Sequence, residues 1–143
     1  MEFVCYREWH DLPRSADRLF ACGERQSIFL SRRWFENLAA NALDDSQHLL
    51  LACVTDDAQL LAMLPLRTQQ DGCWHALSTY YTSLFSMLLS DRNQQVVLDC
   101  MAEGVIGLGF QSLRLEPLAD DDPVMAGLGR ALESRGFDSH KLF

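Results

Sequence analysis

Three side chains that can move a proton lie at the end of an alternating segment of the sequence, residues 73–81: His75, Tyr80 and Tyr81. A histidine or a tyrosine at a strand end can act as the general base or the general acid of a transfer reaction. For His75 the alternative is a structural histidine, either hydrogen-bonded or exposed on a strand. Because Tyr80 and Tyr81 point to opposite faces of a strand, at most one of them lines a cleft while the other packs in the core. We take Tyr80 and His75 as the candidate catalytic residues.

Other chemistries have weaker support in the sequence. The histidines have no metal-ligand spacing with one another or with the cysteines, so no metal site is predicted; they are His10, His48, His75 and His140. No serine has the Gly-x-Ser-x-Gly setting of a hydrolase nucleophile. The acidic run Asp120–Asp122 could attract a cation, but the proline that follows it is typical of a solvated cluster at the start of a helix.

Bulk composition limits the class of protein and of partner. The length of 143 residues and the hydrophobic content of 48% predict one domain, residues 1–143. The formal charge of -8, from 20 acidic and 12 basic residues, argues against nucleic acid or an anionic membrane as the partner. Five cysteines without a Cys-x-x-Cys pair suit reduced thiols. No apolar run approaches the roughly 18 residues of a membrane span, so we expect a soluble, cytoplasmic protein.

A sheet must position the candidate residues, and the middle of the chain predicts three consecutive antiparallel strands. Apolar runs are separated there by two short polar turns, the second of which contains the hairpin-favouring pair Asp71-Gly72. Residues 49–54 are continuously apolar, which predicts a central strand covered on both faces. Residues 60–66 form the second strand. Pro65 within it cannot donate a main-chain hydrogen bond, which predicts a bulge, a bend or an edge at that position.

Two helices are predicted before this meander. The first starts near Ser15 and ends at Gly23, and the second starts with Ser31 as its N-cap. Arg32 and Arg33 stand at the start of the second helix, where the helix dipole disfavours cations. They are therefore either solvated or held there by an external partner.

Two further helices are predicted after the meander. Asp91 and Gln94 have the spacing of a capping box and open the first of them. Asp122 followed by Pro123 predicts the start of the second. The remaining predicted strands are residues 3–7, 111–116 and 137–143. The elements follow one another in the order strand, helix, helix, three strands, helix, strand, helix and strand. This order predicts an α/β (α+β) protein with a mixed, largely antiparallel central sheet flanked by helices.

That succession resembles the GNAT acyltransferase fold. More specifically, residues 27–140 resemble the CelD-like acetyltransferases associated with bacterial cellulose and exopolysaccharide synthesis. The likeness rests on Trp34 in the second helix, on Pro65-Leu66 in the second meander strand, and on Tyr81 followed by an apolar connector. The later segment LRLEPLADDDPVMAGLGRALESRGF also matches. Because CelD-like proteins usually carry a second GNAT-like half, the resemblance implies either a single-domain relative or one half of a longer tandem protein.

The resemblance implies a function and a cofactor. A GNAT enzyme of this type would transfer an acyl group from acetyl-CoA to an amine or a sugar hydroxyl of a small-molecule acceptor. The acyl donor would lie where the sheet opens past Tyr81, which makes Tyr81, Thr82 and Ser83 the candidate cofactor-binding residues.

One family feature is missing from the sequence. GNAT enzymes bind the pyrophosphate of the donor with main-chain amides of an Arg/Gln-x-x-Gly-x-Gly/Ala loop at a helix N-terminus. The corresponding position here, residues 81–92, contains no glycine, and the nearest glycine strings, residues 104–109 and 124–129, fall within predicted helices. The alternative is therefore a non-catalytic GNAT-like module that binds a protein partner or forms a homodimer and does not bind acyl-CoA.

Overall fold

Six strands form a single sheet against which four α-helices pack, in a computed structural model that describes residues 1–79 and 84–140. The strands are β1 (Glu2–Tyr6), β2 (His48–Asp56), β3 (Gln59–Thr68), β4 (Cys73–Ala76), β5 (Leu88–Leu89) and β6 (Ser112–Arg114). The helices are α1 (Ala16–Gln26), α2 (Arg32–Asn41), α3 (Gln94–Gly107) and α4 (Pro123–Glu133). Their strand order is β1-β2-β3-β4-β6, and β5 also pairs with β3. Among the described strands, only β4 and β6 pair in parallel, which confirms the predicted mixed, largely antiparallel sheet.

The predicted meander is present as β2, β3 and β4. Strand β2 lies between β1 and β3 and is buried from Leu50 to Val54, which confirms a central strand covered on both faces. A tight turn through Asp57 and Ala58, both with positive φ, joins β2 to β3. The third strand is shorter than predicted, because β4 ends at Ala76.

Pro65 lies where the outer edge of β3 changes partner. On one side of it Met63 pairs with Leu88 of β5, and on the other Leu66 pairs with Ala76 of β4. The ladder between β2 and β3 has its irregularity at Val54–Thr55 instead. Pro65 nevertheless lies inside the sheet, because it pairs with Leu51 of β2 and its carbonyl accepts a hydrogen bond from the Leu77 N–H at 3.0 Å. The predicted edge and the predicted bulge at Pro65 are therefore both wrong, and a bend there stays a prediction.

Helix α1 packs against β3 and β5 of the sheet, and α2 follows it in the chain. Helix α1 continues past Gly23 to Gln26, so the prediction that Gly23 ends it is wrong. A Cβ atom at Gly23 would collide with the side chain of Leu88, which makes this glycine a point of close packing between α1 and β5. Ser31 is the predicted N-cap of α2, since its Oγ accepts a hydrogen bond from the Trp34 N–H at 3.1 Å.

Arg32 has partners within the chain. Its Nε lies 2.9 Å from Glu36 Oε1, and its Nη2 donates to the carbonyl of Trp9 at 3.1 Å. These contacts within the chain hold Arg32 at the start of α2, and an external partner stays a prediction. Arg33 is exposed.

Helix α3 begins at Gln94 and follows Asn93, which adopts the left-handed conformation with φ 50° and ψ 46°. The predicted capping box is wrong, because Asp91 lies outside the helix and the Gln94 side chain donates to the carbonyl of Ser90 at 3.2 Å. The helix then packs closely on β1: a Cβ atom at Gly104 would collide with the ring of Phe3.

Helix α4 begins as predicted. Asp122 Oδ1 accepts hydrogen bonds from the N–H groups of Val124 at 2.9 Å and Met125 at 3.3 Å, and Pro123 opens the helix. Residues 137–140 form no strand, so the predicted closing strand is wrong for them, and residues 141–143 lie outside the described part of the chain.

The core lies between these helices and the sheet. Leu51, Val54, Met63 and Leu64 of β2 and β3 have no exposed surface. Cys53 is also fully buried, and this burial raises the pKa of its thiol, as expected for a small core residue. No helix in the described part of the chain is long and apolar enough to cross a membrane.

Candidate active site

Strands β4 and β6 are paired at one end and separate at the other. Trp74 lies beside Leu113 and His75 beside Arg114 in a parallel ladder, and no described residue beyond them continues it. The candidate site lies at this separation, because a gap in a sheet exposes main-chain groups and admits a ligand between two strands.

The described residues bridge part of the gap. The Ser78 hydroxyl donates to the carbonyl of Glu116 at 2.6 Å, so a side chain spans the distance that a strand pairing would otherwise close. Further on, the N–H of Phe85 donates to the carbonyl of Pro117 at 2.7 Å, and Phe85 is fully buried. The inner part of the gap is therefore filled by the segment that returns to the sheet as β5.

A cavity of about 790 Å³ lies against β4 and β6 beside α4. It is lined by residues 73–75 of β4, by residues 112–116 and by the outer side of α4, where Arg130 and Glu133 are exposed. His75 is thus accessible from this cavity, at the end of the ladder where the two strands separate.

His75 lies in a row of nitrogen-containing side chains. Arg67 of β3, His75 of β4 and Arg114 of β6 occupy opposite positions on three neighbouring strands. The Arg67 Nε is buried and has no hydrogen-bond partner among the described residues. Burial lowers the pKa of His75 most, and the positive charges of Arg67 and Arg114 lower it further. The negative charges of Glu116 and Asp71 oppose this shift more weakly. His75 is therefore neutral near pH 7 and can accept a proton.

The other candidate residues cannot be placed with it. Tyr80, Tyr81, Thr82 and Ser83 lie outside the described residues, so of the sequence-predicted site only His75 has a known position. It lies on β4, five positions before the first of these residues. The catalytic role of Tyr80 and the cofactor-binding role of Tyr81, Thr82 and Ser83 stay predictions.

Comparison with known proteins tests the fold. No protein-family model matches the sequence, and neither does any curated protein. Among solved structures, the chain is similar to the apo form of aminoglycoside antibiotic 6'-N-acetyltransferase AAC(6')-IG from Acinetobacter haemolyticus. The match covers 100% of this chain and 94% of that chain, with a TM-score of 0.52 and 12% sequence identity. The chain has the GNAT fold.

At this identity the likeness shows the fold alone, and the CelD-like subfamily stays a prediction. The start of α3 directly follows residues 81–92, where the resemblance stated above predicts the phosphate loop. No described residue accepts a hydrogen bond from the amides of Gln94, Gln95 and Val96, and all three residues are exposed. The first main-chain bond of the helix runs from the Val97 N–H to the carbonyl of Asn93, at 3.0 Å.

Sequence reasoning missed Asn93 because it searched for glycine. The left-handed conformation that this residue adopts is most easily reached by glycine, and asparagine is the side-chain-bearing residue that tolerates it best. An asparagine shortly before an apolar helix was the available signal.

One group of possible metal ligands is found among the described residues: Glu8, His10 and Asp11, all exposed. His10 Nε2 lies 2.8 Å from Glu8 Oε2, so hydrogen bonding within the group accounts for its compactness. It lies on the β1–α1 connection, away from His75, and has no part in the candidate site.

Proposed function

We propose that this GNAT-fold chain transfers an acyl group from an acyl-CoA to an amine or a sugar hydroxyl. The separation of β4 and β6 directly after the His75–Arg114 pair carries the proposal, because it combines an opening in the sheet with a neutral imidazole at its edge. The exposed amides at the start of α3 support it from the donor side.

His75 is the proposed general base. Nucleophilic attack by an amine or hydroxyl on a thioester forms a C–N or C–O bond and breaks the C–S bond, and the attacking atom must lose its proton. A neutral ring nitrogen of His75 would accept that proton. The lowered pKa of His75 keeps the ring unprotonated near pH 7, which is the state that a base needs.

The residues at the start of α3 fit the diphosphate end of an acyl-CoA. Gln94, Gln95 and Val96 present main-chain N–H groups without an acceptor among the described residues, and the positive end of the helix dipole adds to their attraction for an anion. Arg92, exposed two residues before the helix, adds a positive charge. When bound, the acyl-CoA would supply the thioester that is attacked.

Titration with acetyl-CoA tests the donor side. A ligand that binds only the folded state raises the melting temperature with its concentration, so we expect an upward shift at millimolar acetyl-CoA. Asn93→Gly preserves the left-handed conformation and should keep the affinity, whereas Asn93→Val disfavours it and should weaken binding roughly tenfold. Equal affinities of the two variants, or no shift in the wild type, would contradict the proposed phosphate site.

Transfer itself needs a separate measurement. Incubation with acetyl-CoA and panels of amines and sugars, followed by mass spectrometry, would detect the acylated product. His75→Gln should leave the acetyl-CoA shift intact and lower the rate roughly 100-fold or more, as expected for loss of a general base. An unchanged rate would remove His75 from the mechanism without affecting the donor site.

The second candidate function is the non-catalytic module predicted from the sequence. The Phe85–Pro117 hydrogen bond of 2.7 Å and the complete burial of Phe85 leave little room for a donor arm in the described part of the separation. A protein of this kind would show no melting-temperature shift with acetyl-CoA and would form no acyl product, which distinguishes the two functions directly.

A further inference from the structure

Two arginines flank His75 on one face of the sheet. Arg67 of β3 pairs with His75 of β4, and His75 in turn pairs with Arg114 of β6. Residues that pair directly across neighbouring strands place their side chains on the same face, and each step from strand to strand is about 4.8 Å. These three residues therefore form a row in which the imidazole lies between two arginine side chains whose main chains are roughly 10 Å apart.

Neither arginine of the row is ion-paired. No ion pair of the described residues includes Arg67 or Arg114, and the buried Nε of Arg67 has no hydrogen-bond partner among them. Glu116, Asp71 and Asp44 carry negative charges that act on this row, yet they form no ion pair with it. A buried donor without an acceptor costs free energy, so an acceptor supplied by a ligand would stabilise the row.

The chemistry of the row is suited to an anion. Arg67 and Arg114 both lower the pKa of His75, so their positive charges lie close to the ring. A guanidinium group presents paired N–H donors that match a carboxylate or a phosphate, and an anion between two such groups relieves their mutual repulsion. His75 and Arg114 also line the cavity beside α4, so a small molecule can reach the row.

We propose that Arg67 and Arg114 bind a carboxylate or phosphate group beside His75 and, resting on the transfer reaction proposed above, that this group belongs to the acyl acceptor. The acceptor is then an amino acid, a sugar phosphate or another amine or alcohol that carries an anionic group. Bound in this way, the anionic group holds the acceptor beside the ring nitrogen that takes its proton. Arg67 and Arg114 are thus specificity-determining residues, and neutral acceptors are poor substrates.

Binding of inorganic phosphate and of acetate to the full chain tests the site without any turnover. At constant ionic strength, each anion should shift the NMR signals of the His75 ring in a saturable way, whereas the ring of His10, on the β1–α1 connection, should not respond. A bound anion favours the imidazolium form, so phosphate should also raise the titration midpoint of His75. No saturable response of His75 to either anion would overturn the proposal.

Substitution of the arginines assigns the response to the row. Arg114→Gln should weaken phosphate binding roughly tenfold, as expected for loss of a hydrogen-bonded charge. Arg67→Lys keeps the charge of the half-buried residue but loses the forked donors, and should weaken binding by about threefold. Arg18→Gln on α1 is the matched control, because it removes an exposed charge elsewhere and should leave the affinity unchanged. Equal losses in Arg114→Gln and Arg18→Gln would indicate general charge attraction and overturn the site.

Matched acceptors identify the source of the anionic group. With acetyl-CoA as the donor, an amino acid is compared with its amide, and an amino sugar with its phosphate ester. The preferred pair distinguishes a carboxylate from a phosphate, and its anionic member should have a kcat/KM roughly tenfold or more above that of the neutral member. Arg114→Gln should reduce this preference to about threefold or less through a higher KM. Acylation of both members at equal rates would overturn the specificity role while leaving the transfer reaction intact.

Two further outcomes separate this proposal from the proposed function. Phosphate binding that depends on Arg114, without any acyl product, supports the anion site and contradicts the transfer reaction, and with it the assignment to an acceptor. A smaller melting-temperature shift with acetyl-CoA in Arg114→Gln than in the wild type would assign the anionic group to the donor, which overturns its assignment to the acceptor.

Discussion

The two halves of the sheet differ in how they are held together. Strands β1, β2 and β3 form ladders in which nine residue pairs join β2 to β3, and Leu51 and Met63 at the centre are fully buried. Strands β4, β5 and β6 contain four, two and three residues. The first half supplies most of the buried apolar area, and hence stability, whereas the second supplies a gap, a cavity and an edge.

This difference follows from the side chains. In β2 and β3 both faces of the strand are apolar, so adjacent layers can cover them. The shorter strands carry His75 and Arg114 on one face, and these polar side chains resist full burial. A sheet can thus place its polar chemistry at one side while its other side maintains the fold.

Truncation of one leucine in each half should give the largest difference in the free energy of unfolding. Leu51→Ala in β2 removes a fully buried side chain and should lower the free energy of unfolding by about 2–5 kcal/mol. Leu113→Ala in half-buried β6 should cost about 1 kcal/mol, since less surface leaves water. Urea denaturation measures both values. Equal losses would mean that the two halves contribute alike.

Two glycines in α3 sharpen the contrast between packed and open surfaces. Gly104→Ala forces a methyl group against the Phe3 ring and should destabilise the protein by about 1–3 kcal/mol. The new methyl group of Gly107→Ala, in the same helix, meets nothing within 4 Å. This variant should be neutral or more stable by roughly a few tenths of a kcal/mol, because alanine has a better helix propensity than glycine. Thermal denaturation of both variants is the measurement, and a harmless Gly104→Ala would contradict the close packing of α3 on β1.

The cap of α4, the helix beside the cavity, has a smaller expected effect. Asp122→Ala removes the acceptor for two N–H groups and should lower the free energy of unfolding by about 1 kcal/mol. Asp121→Ala, one residue earlier and exposed, makes the same charge change without loss of the cap and serves as the control. If both variants lose equal stability, general charge rather than capping would be responsible.

The smallest effect concerns the protonation of His75. Its pKa is lowered in the folded state by burial, Arg67 and Arg114, so the unfolded chain binds the proton more readily. Stability should be fully present above the ordinary histidine pKa of about 6.5 and decline as the pH falls below it. The variant His75→Gln should lose less stability than the wild type between about pH 7.5 and pH 5.5. An NMR titration midpoint of His75 at or above the ordinary value would contradict the shift.

Local features of the fold were largely predictable. Ser31 and Asp122 were identified as helix caps because a hydroxyl or carboxylate two or three residues before the relevant amides acts within one turn. The meander was identified from apolar runs and an Asp-Gly turn, because antiparallel strands joined by short turns pair with their neighbours in the sequence. Gly23 was misassigned as a helix end because its role is close packing against the distant Leu88. Asp91 was misassigned as a helix cap because the left-handed Asn93 takes the cap position instead.

The sequence by itself determined the class of the fold, its central strands and two helix caps, because each depends on short-range periodicity or side-chain type. Only the tertiary structure decided that Pro65 lies at a change of strand partner, that Arg67 and Arg114 flank His75, and that β6 is the last of the described strands in the sheet. These depend on which distant segments become neighbours, and that is set by the packing of the whole sheet rather than by any local pattern.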